Sequence, residues 1–304
     1  MKWVIKNPAP SDSRRTKWGD YHFGRSLTTH LERRGHEVVT HYDPGWDADE
    51  PCDVVLTLRG KYPYPRGDAH RGALRVVWNI SHPADVPVEE YASHDLVCVA
   101  SRPLAADLGG RLDVPVVPLL QCTDVDEFHP AAGNGGPRQG IVFIGNTRDV
   151  ERPGVLWALD YGLPLRIWGR GWDGFGVPAE RVVADYHANE ELGALYATSR
   201  ATLNDHWEDM KQHGFVNNRI LHALACDLPV VSDWHEELAS LLPQGVLLYR
   251  DRWEFEQCMQ SLMLDLPRLA DEAAAAGVRV REEFSFSRRT DELVAHVEQA
   301  LAGR

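Results

Sequence analysis

The chain has 304 residues, 43% of them apolar, and a formal net charge of −13. That length suits two domains of ordinary size with real cores, and the acidic balance argues against nucleic acid as main partner, whose footprint on a protein is basic. No apolar run approaches the roughly 20 residues of a membrane helix, so any contact with lipid would be peripheral.

The basic pairs Arg14-Arg15 and Arg288-Arg289 read as solvated faces. The five cysteines (Cys52, Cys98, Cys122, Cys226 and Cys258) form no CxxC pair and no metal spacing. They read as buried thiols of a reduced, cytoplasmic protein. The N-terminus enters an apolar strand directly, without a signal-peptide pattern.

In chain order, residues 2–6 read as a first buried strand. A long polar and aromatic loop (7–21) follows, and long loops at strand carboxyl ends in α/β domains usually serve a ligand. A helix is expected over 23–34, with Leu27 and Leu31 inward and Gly35 as its stop. Strands follow at 36–42, 53–57, 74–79, 96–100 and 114–119. The loop 59–68 leaves the third strand, and Ser81-His82-Pro83 follows the fourth. Four Gly or Pro residues within 133–137 mark a linker. A second unit opens with a strand at 141–144, a turn at Gly145-Asn146 and a helix at 153–161. Then come a strand at 165–168, a Gly-rich loop at 169–176, an extended run at 181–186 and a helix at 189–198. This alternation implies α/β domains with parallel, doubly wound sheets.

Residues 199–233 concentrate the polar chemistry. A strand (201–204) leads to a loop carrying His206, Asp209, Lys211, His213 and Gly214. A helix is expected to begin near Phe215 and to stop at Asp227, before Pro229 starts a buried strand (228–232). A Gly-preceded helix start offers backbone N–H groups and a dipole end suited to an anion such as diphosphate. Further on, a helix (235–242), a strand (246–249) and a helix (253–264) precede a helical tail (266–302) broken near 284–287.

Gly214, Asn218-Arg219 and the HALACD run (222–227) resemble the donor-site motif of glycosyltransferases of the GT-B fold. The group that includes spore-maturation-type proteins is the most similar; its pattern is Gly, a few residues, Asn-Arg, then an alanine-rich EALACG turn and a hydrophobic strand. The resemblance covers the second half of the chain well and the first half loosely. Retaining members place two glutamates eight positions apart; the matching positions here are Gly214 and His222.

The resemblance implies two Rossmann-like domains facing a cleft, with the C-terminal helix crossing back. Residues 1–130 would form an acceptor domain, 131–284 a nucleotide-sugar donor domain and 285–304 the returning helix. It implies a hexosyltransferase-type enzyme that moves a sugar from a nucleotide-diphosphate sugar to an unidentified acceptor, without metal or other cofactor. Two alternatives stay open: a nucleotide-sugar 2-epimerase on the same fold, or a catalytically silent sugar-nucleotide-binding protein. The missing glutamates favour the silent binder; Gly145-Asn146, Asn218-Arg219 and Gly214 favour the transferase.

On this reading the diphosphate would meet the amides of Phe215, Val216 and Asn217, together with Arg148, Arg152, Lys211 and Arg219. The glycine turn Gly145-Asn146 allows a ligand close approach. Trp168-Gly169 and Tyr186 lie where similar folds seat the base. His222 could replace the missing ribose-binding acid, and His206 lies in the same loop. In the first domain, Asp20, His22 and His82 are candidates; His82 falls about where similar enzymes hold a histidine near the donor sugar, and Asp or His can act as general base in an inverting reaction. Asp205 and Asp209 read as solvated loop acids. GxGxxG is absent, so a nicotinamide dehydrogenase has little support.

Overall fold

A computed structural model describes residues 1–63, 70–133 and 135–304. The chain forms two compact units. The first comprises Met1–Cys122, Trp207–Val216 and Phe284–Arg304; the second comprises Thr123–His206 and Asn217–Glu283.

In the first unit, strands β1 (Lys2–Pro10), β2 (Glu37–Asp43), β3 (Val54–Arg59), β4 (Leu74–Asn79), β5 (Leu96–Val99) and β6 (Val116–Pro118) are joined through α1 (Gly19–Glu32), α2 (Val88–Ala92) and α3 (Arg102–Gly109). In the second, β7 (Ile141–Ile144), α4 (Pro153–Asp160), β8 (Leu165–Trp168), β9 (Val182–Ala184), α5 (Asn189–Ala197) and β10 (Ala201–Asn204) come first. A short α6 (Glu208–Gln212) belongs to the first unit. The second unit resumes with α7 (Asn218–Ala225), β11 (Val230–Asp233), α8 (Glu236–Leu241), β12 (Val246–Tyr249), α9 (Arg252–Leu264) and α10 (Leu266–Glu283), and α11 (Phe286–Ala302) returns to the first.

Both sheets are six-stranded, in the orders β2-β1-β3-β4-β5-β6 and β12-β11-β10-β7-β8-β9. Every pairing is parallel. Parallel strands are covered on both faces, and their sequences therefore run apolar without alternation, as VVLTL in β3 does. Each order reverses beside its first strand, at β1/β3 and at β7/β10. Such switch points open a crevice at the strands' carboxyl ends, and that position selects the residues considered below.

The first core joins Trp3, Ile5, Phe23, Leu27 and Trp78 to Phe286, Leu293 and Val297 of α11. Phe23 meets Trp78 and Phe286 edge-on at centroid distances of 5.1 and 4.8 Å. The expected break in the tail is the α10–α11 junction, where the Ser285 side chain accepts from Arg288 N and caps α11.

Several boundaries differ from expectation. Helix α1 starts at Gly19, not at 23, so Asp20 and His22 lie on a helix rather than in a loop. Their polarity hides them from an apolar period, while Asp20 suits the dipole of a first turn. Helix α7 starts at Asn218, not at Phe215, because Asn217 caps it: its side chain accepts from Ile220 N at 3.3 Å. Phe215, fully buried, packs with Val77, Tyr91, Val97 and Met210 in the first unit's other core cluster. Ser101 Oγ donates to His213 O at 2.5 Å, and Ala84 N donates to Asp209 Oδ2 at 3.4 Å. These contacts anchor the 207–216 segment. Of the loop 59–68, positions 64–68 lie outside the described residues. All five cysteines are free, and no described helix is long and apolar enough to cross a membrane.

Candidate functional site

At the β7/β10 switch point the chain after β7 turns at Gly145. Gly145 N donates to Trp168 O (2.8 Å), Trp172 Nε1 donates to Gly145 O (3.2 Å), and Asn146 Oδ1 accepts from Arg170 N (2.9 Å). The turns after β7 and β8 are thereby laced together. A Cβ on Gly169, whose φ is +145°, would lie 2.1 Å from Gly145 O. Only glycine fits such a backbone conformation and such an approach. Gly169→Ala is therefore expected to destabilise the protein by about 2–4 kcal/mol through strain and overlap, read as a lower urea midpoint. Beyond the turn, Arg148 and Asp149 both hold positive φ, 64° and 59°. Two successive non-glycine residues in that region carry strain of the kind that clusters at functional sites.

Three arginines crowd this turn. Arg152, 3% exposed, is not a surface charge. Its guanidinium forks onto both carboxylate oxygens of Asp205, donates to Asn146 O at 2.5 Å, and sits 5.0 Å over the Phe143 ring. Burial first, then repulsion from Arg148 and Arg219, pushes its pKa down. The Asp205 fork opposes that push. Arg219 projects from the first turn of α7, with Nη1 3.6 Å from where a Gly145 Cβ would lie. Among the described residues that buried Nη1 has no hydrogen-bond partner, and desolvation lowers the Arg219 pKa. A buried guanidinium nitrogen lacking an acceptor is costly. Together with two neighbouring cations it makes the turn ready for an anion.

The start of α7 is fixed by residues the sequence only partly signalled. His206 Nδ1 lies 2.7 Å from Asp233 Oδ1, and Nε2 accepts from Asn217 N at 3.4 Å. This polarity assigns the Nδ1–H tautomer, donating to the carboxylate. Asn217 Nδ2 donates to Asp205 O at 3.2 Å. The expectation that the amides of Phe215 to Asn217 head the helix is corrected: Phe215 N donates to Met210 O and Asn217 N to His206. The amides of Asn218 and Arg219 take that place. Asp205 and Asp233 were not singled out as site residues. Their signal was position, since each stands at the carboxyl end of a parallel strand, Asp205 just after β10 at the switch point and Asp233 at the end of the neighbouring β11.

His222 stacks on Phe128 (centroids 3.9 Å apart, planes 9°), with Nδ1 2.7 Å from Thr123 Oγ1. Its place on α7 serves packing against residues 123–128. Lys211 sits on α6, which belongs to the first unit. Gly214, at φ 73°, ends α6 in a left-handed turn, and Phe215 and Val216 are buried beyond it. Trp168, 7% exposed, closes β8 edge-on to His187 at 5.3 Å. Half-buried Tyr186 follows β9, its hydroxyl pKa raised by burial.

In the first unit, the switch point gathers Asn7, Asp20, Gly60, Ser81 and His82. Asn7 Nδ2 donates to Asp20 O at 2.7 Å. Asp20 Oδ1 lies 2.5 Å from where a Gly60 Cβ would be, and Ser81 Oγ 3.5 Å from the same point. Ser81 Oγ is 3.0 Å from His82 Nδ1. Burial pushes the Asp20 carboxyl up to about 6. His82 adopts φ 51°, ψ 54°, a left-handed conformation for a non-glycine residue, and lies 5.3 Å from the Trp207 ring. Arg59 locks the neighbouring backbone: it forks onto Glu90, donates to Gly60 O at 2.6 Å and to Asp85 O at 2.7 Å. His22 is turned away, with Nε2 2.7 Å from Thr16 O. Asp20 and His82, 62 positions apart in sequence, are thus linked through Gly60 and Ser81. Asp205 and Asp209 fall in different units, and each has a protein partner.

Residues 154–295 match the glycosyl transferase-like family. No curated protein matches the chain by sequence. Among solved structures, sucrose-phosphate synthase from Thermosynechococcus elongatus superposes with a TM-score of 0.70 at 12% identity, covering 100% of both chains. AviGT4, a glycosyltransferase involved in avilamycin A biosynthesis, gives 0.67 at 19% identity over 100% of this chain and 99% of its own. Anabaena HepE, solved with UDP and glucose, gives 0.63 at 11% identity over 98% of this chain and 100% of its own. At such identities these likenesses establish the fold, which is GT-B.

Proposed function

From a GT-B chain with a glycosyl transferase-like segment at 154–295, we propose a glycosyltransferase that moves a sugar from a nucleoside-diphosphate sugar to an acceptor hydroxyl. One observation carries the reading: the buried, unpartnered Arg219 Nη1 beside the Gly145 turn, with Arg148 and Arg152 adjacent. Negative charge grows on the departing diphosphate as the glycosidic bond breaks. Guanidinium groups already held in place stabilise that charge without reorganising. They supply the positive charge a metal ion would otherwise bring, so we propose a metal-independent reaction. The first unit would receive the acceptor, with Asp20 or His82 taking the hydroxyl proton. HepE, a structural neighbour, was solved with UDP and glucose, the donor chemistry assigned here.

Thermal-shift titration with UDP, GDP, ADP and TDP tests the donor site. A nucleotide at 100 times its Kd adds about 2.7 kcal/mol of stability. If none of them, nor any sugar nucleotide, moves the melting point, the reading fails. Slow donor hydrolysis without acceptor separates a transferase from a silent binder, and release of an isomerised sugar would indicate an epimerase.

If Asp20 is the base, turnover should rise with pH through about 6, and Asp20→Asn should abolish that limb. A raised folded pKa means the native state holds the proton more tightly than the unfolded chain. Stability conferred by that proton is complete below the unfolded value and lost as pH rises through about 6. Asp20→Asn should accordingly be more stable than the parent by about 1–3 kcal/mol at pH 7 and no different below pH 4, measured by urea melts. Identical melts at both pH values would remove the buried acid from the account.

A further inference from the structure

At the opposite end of the second sheet, where β7 and β10 begin, a pocket of about 370 Å³ opens, a size typical of small-ligand sites (about 300–1,000 Å³). Ile141, Leu163, Met259 and Leu262 line it with buried apolar surface, and Met263, 63% exposed, stands at its edge. Arg200 brings the one charged side chain of the lining. Its Nε donates to Arg138 O at 3.1 Å, which aims the guanidinium and leaves the Nη groups available. Arg166 Nε lies 3.4 Å from where a Cβ of Gly140, a lining residue, would be. Among the described residues neither Arg166 nor Arg200 has a carboxylate partner, whereas Arg250, Arg252, Arg268, Arg279 and Arg281 of the same unit each do. In a chain of net charge −13, this apolar pocket thus has two cations beside it that no described carboxylate neutralises.

We propose that this pocket binds a single-chain anionic amphiphile, its alkyl chain among Leu163, Met259 and Leu262 and its carboxylate or phosphate on Arg200. Each buried methylene multiplies affinity about fourfold, and the guanidinium selects the charged head. The site is separate from the Gly145 turn, which lies at the far end of β7.

The test is calorimetric titration of the full chain with decanoate, decyl phosphate and decanol, each below its micelle concentration. At least one anion is expected to bind one per chain, at least tenfold tighter than decanol. Arg200→Gln and Met263→Glu should each weaken it at least tenfold while nucleotide affinity stays unchanged. Decanoate alone would point to a carboxylate-headed ligand and decyl phosphate alone to a phosphate-headed one; either supports the proposal. It is overturned if decanol binds equally well, if neither variant matters, if nothing binds, or if the protein only co-sediments with anionic vesicles.

Discussion

Asp205→Ala is expected to cost about 3–5 kcal/mol of stability, the usual loss when one partner of a buried ion pair is removed. Arg152 is 3% exposed and loses both carboxylate contacts in this variant. It is left beside Arg148 and Arg219, whose charges already disfavour it. The double variant Arg152→Met/Asp205→Leu should recover most of the loss, because replacing both charges with apolar groups of similar volume is often neutral. A bound nucleoside diphosphate should also rescue Asp205→Ala more than it stabilises the parent, since its charge substitutes for the missing carboxylate. Urea melts of the parent, Asp205→Ala and the double variant, with and without UDP, measure all of this. A single-variant loss below 1 kcal/mol would mean the fork is weaker than its geometry implies.

Arg219→Met should separate function from stability. Diphosphate affinity is expected to fall by about 1–3 kcal/mol, the scale of a charge-assisted hydrogen bond. The unliganded protein should melt at the same temperature or higher, because the substitution removes a buried nitrogen that has no acceptor. Strain and unmet polarity held at a ligand site in this way are a common source of such trade-offs. Arg219→Lys keeps the charge but loses the planar fork, so it should recover only part of the affinity. Isothermal titration with UDP and a thermal melt suffice. Unchanged affinity in a folded Arg219→Met protein would take Arg219 out of the site.

The alternation of apolar strands with helices and the break in the helical tail were legible in the sequence, because continuous Val, Leu and Ile runs and helical spacing are local patterns; the return of the tail to the first unit was implied only by the family resemblance. The glycine turn after the strand at 141–144 marked Gly145, Asn146 and Arg148, and the motif marked Arg219; the structure gathers all four around one turn. Burial was not legible. Arg152 and Asp205, 53 positions apart, read as a diphosphate contact and a solvated acid, with nothing to say that they pair; only the parallel pairing of β7 with β10 brings their strand ends together and takes them out of water. Phe215 was read as the helix's first residue because its neighbours are apolar and Gly214 precedes it. Tertiary packing places it instead in the core of the other unit, where burying an aromatic ring outweighs one more helical turn. His222 matched a family position, yet the ring of Phe128 across from it decided what it touches. Local preference fixes which segments become strands and helices. Which charges meet, and whether water reaches them, is set by contacts far apart in sequence and belongs to the folded chain.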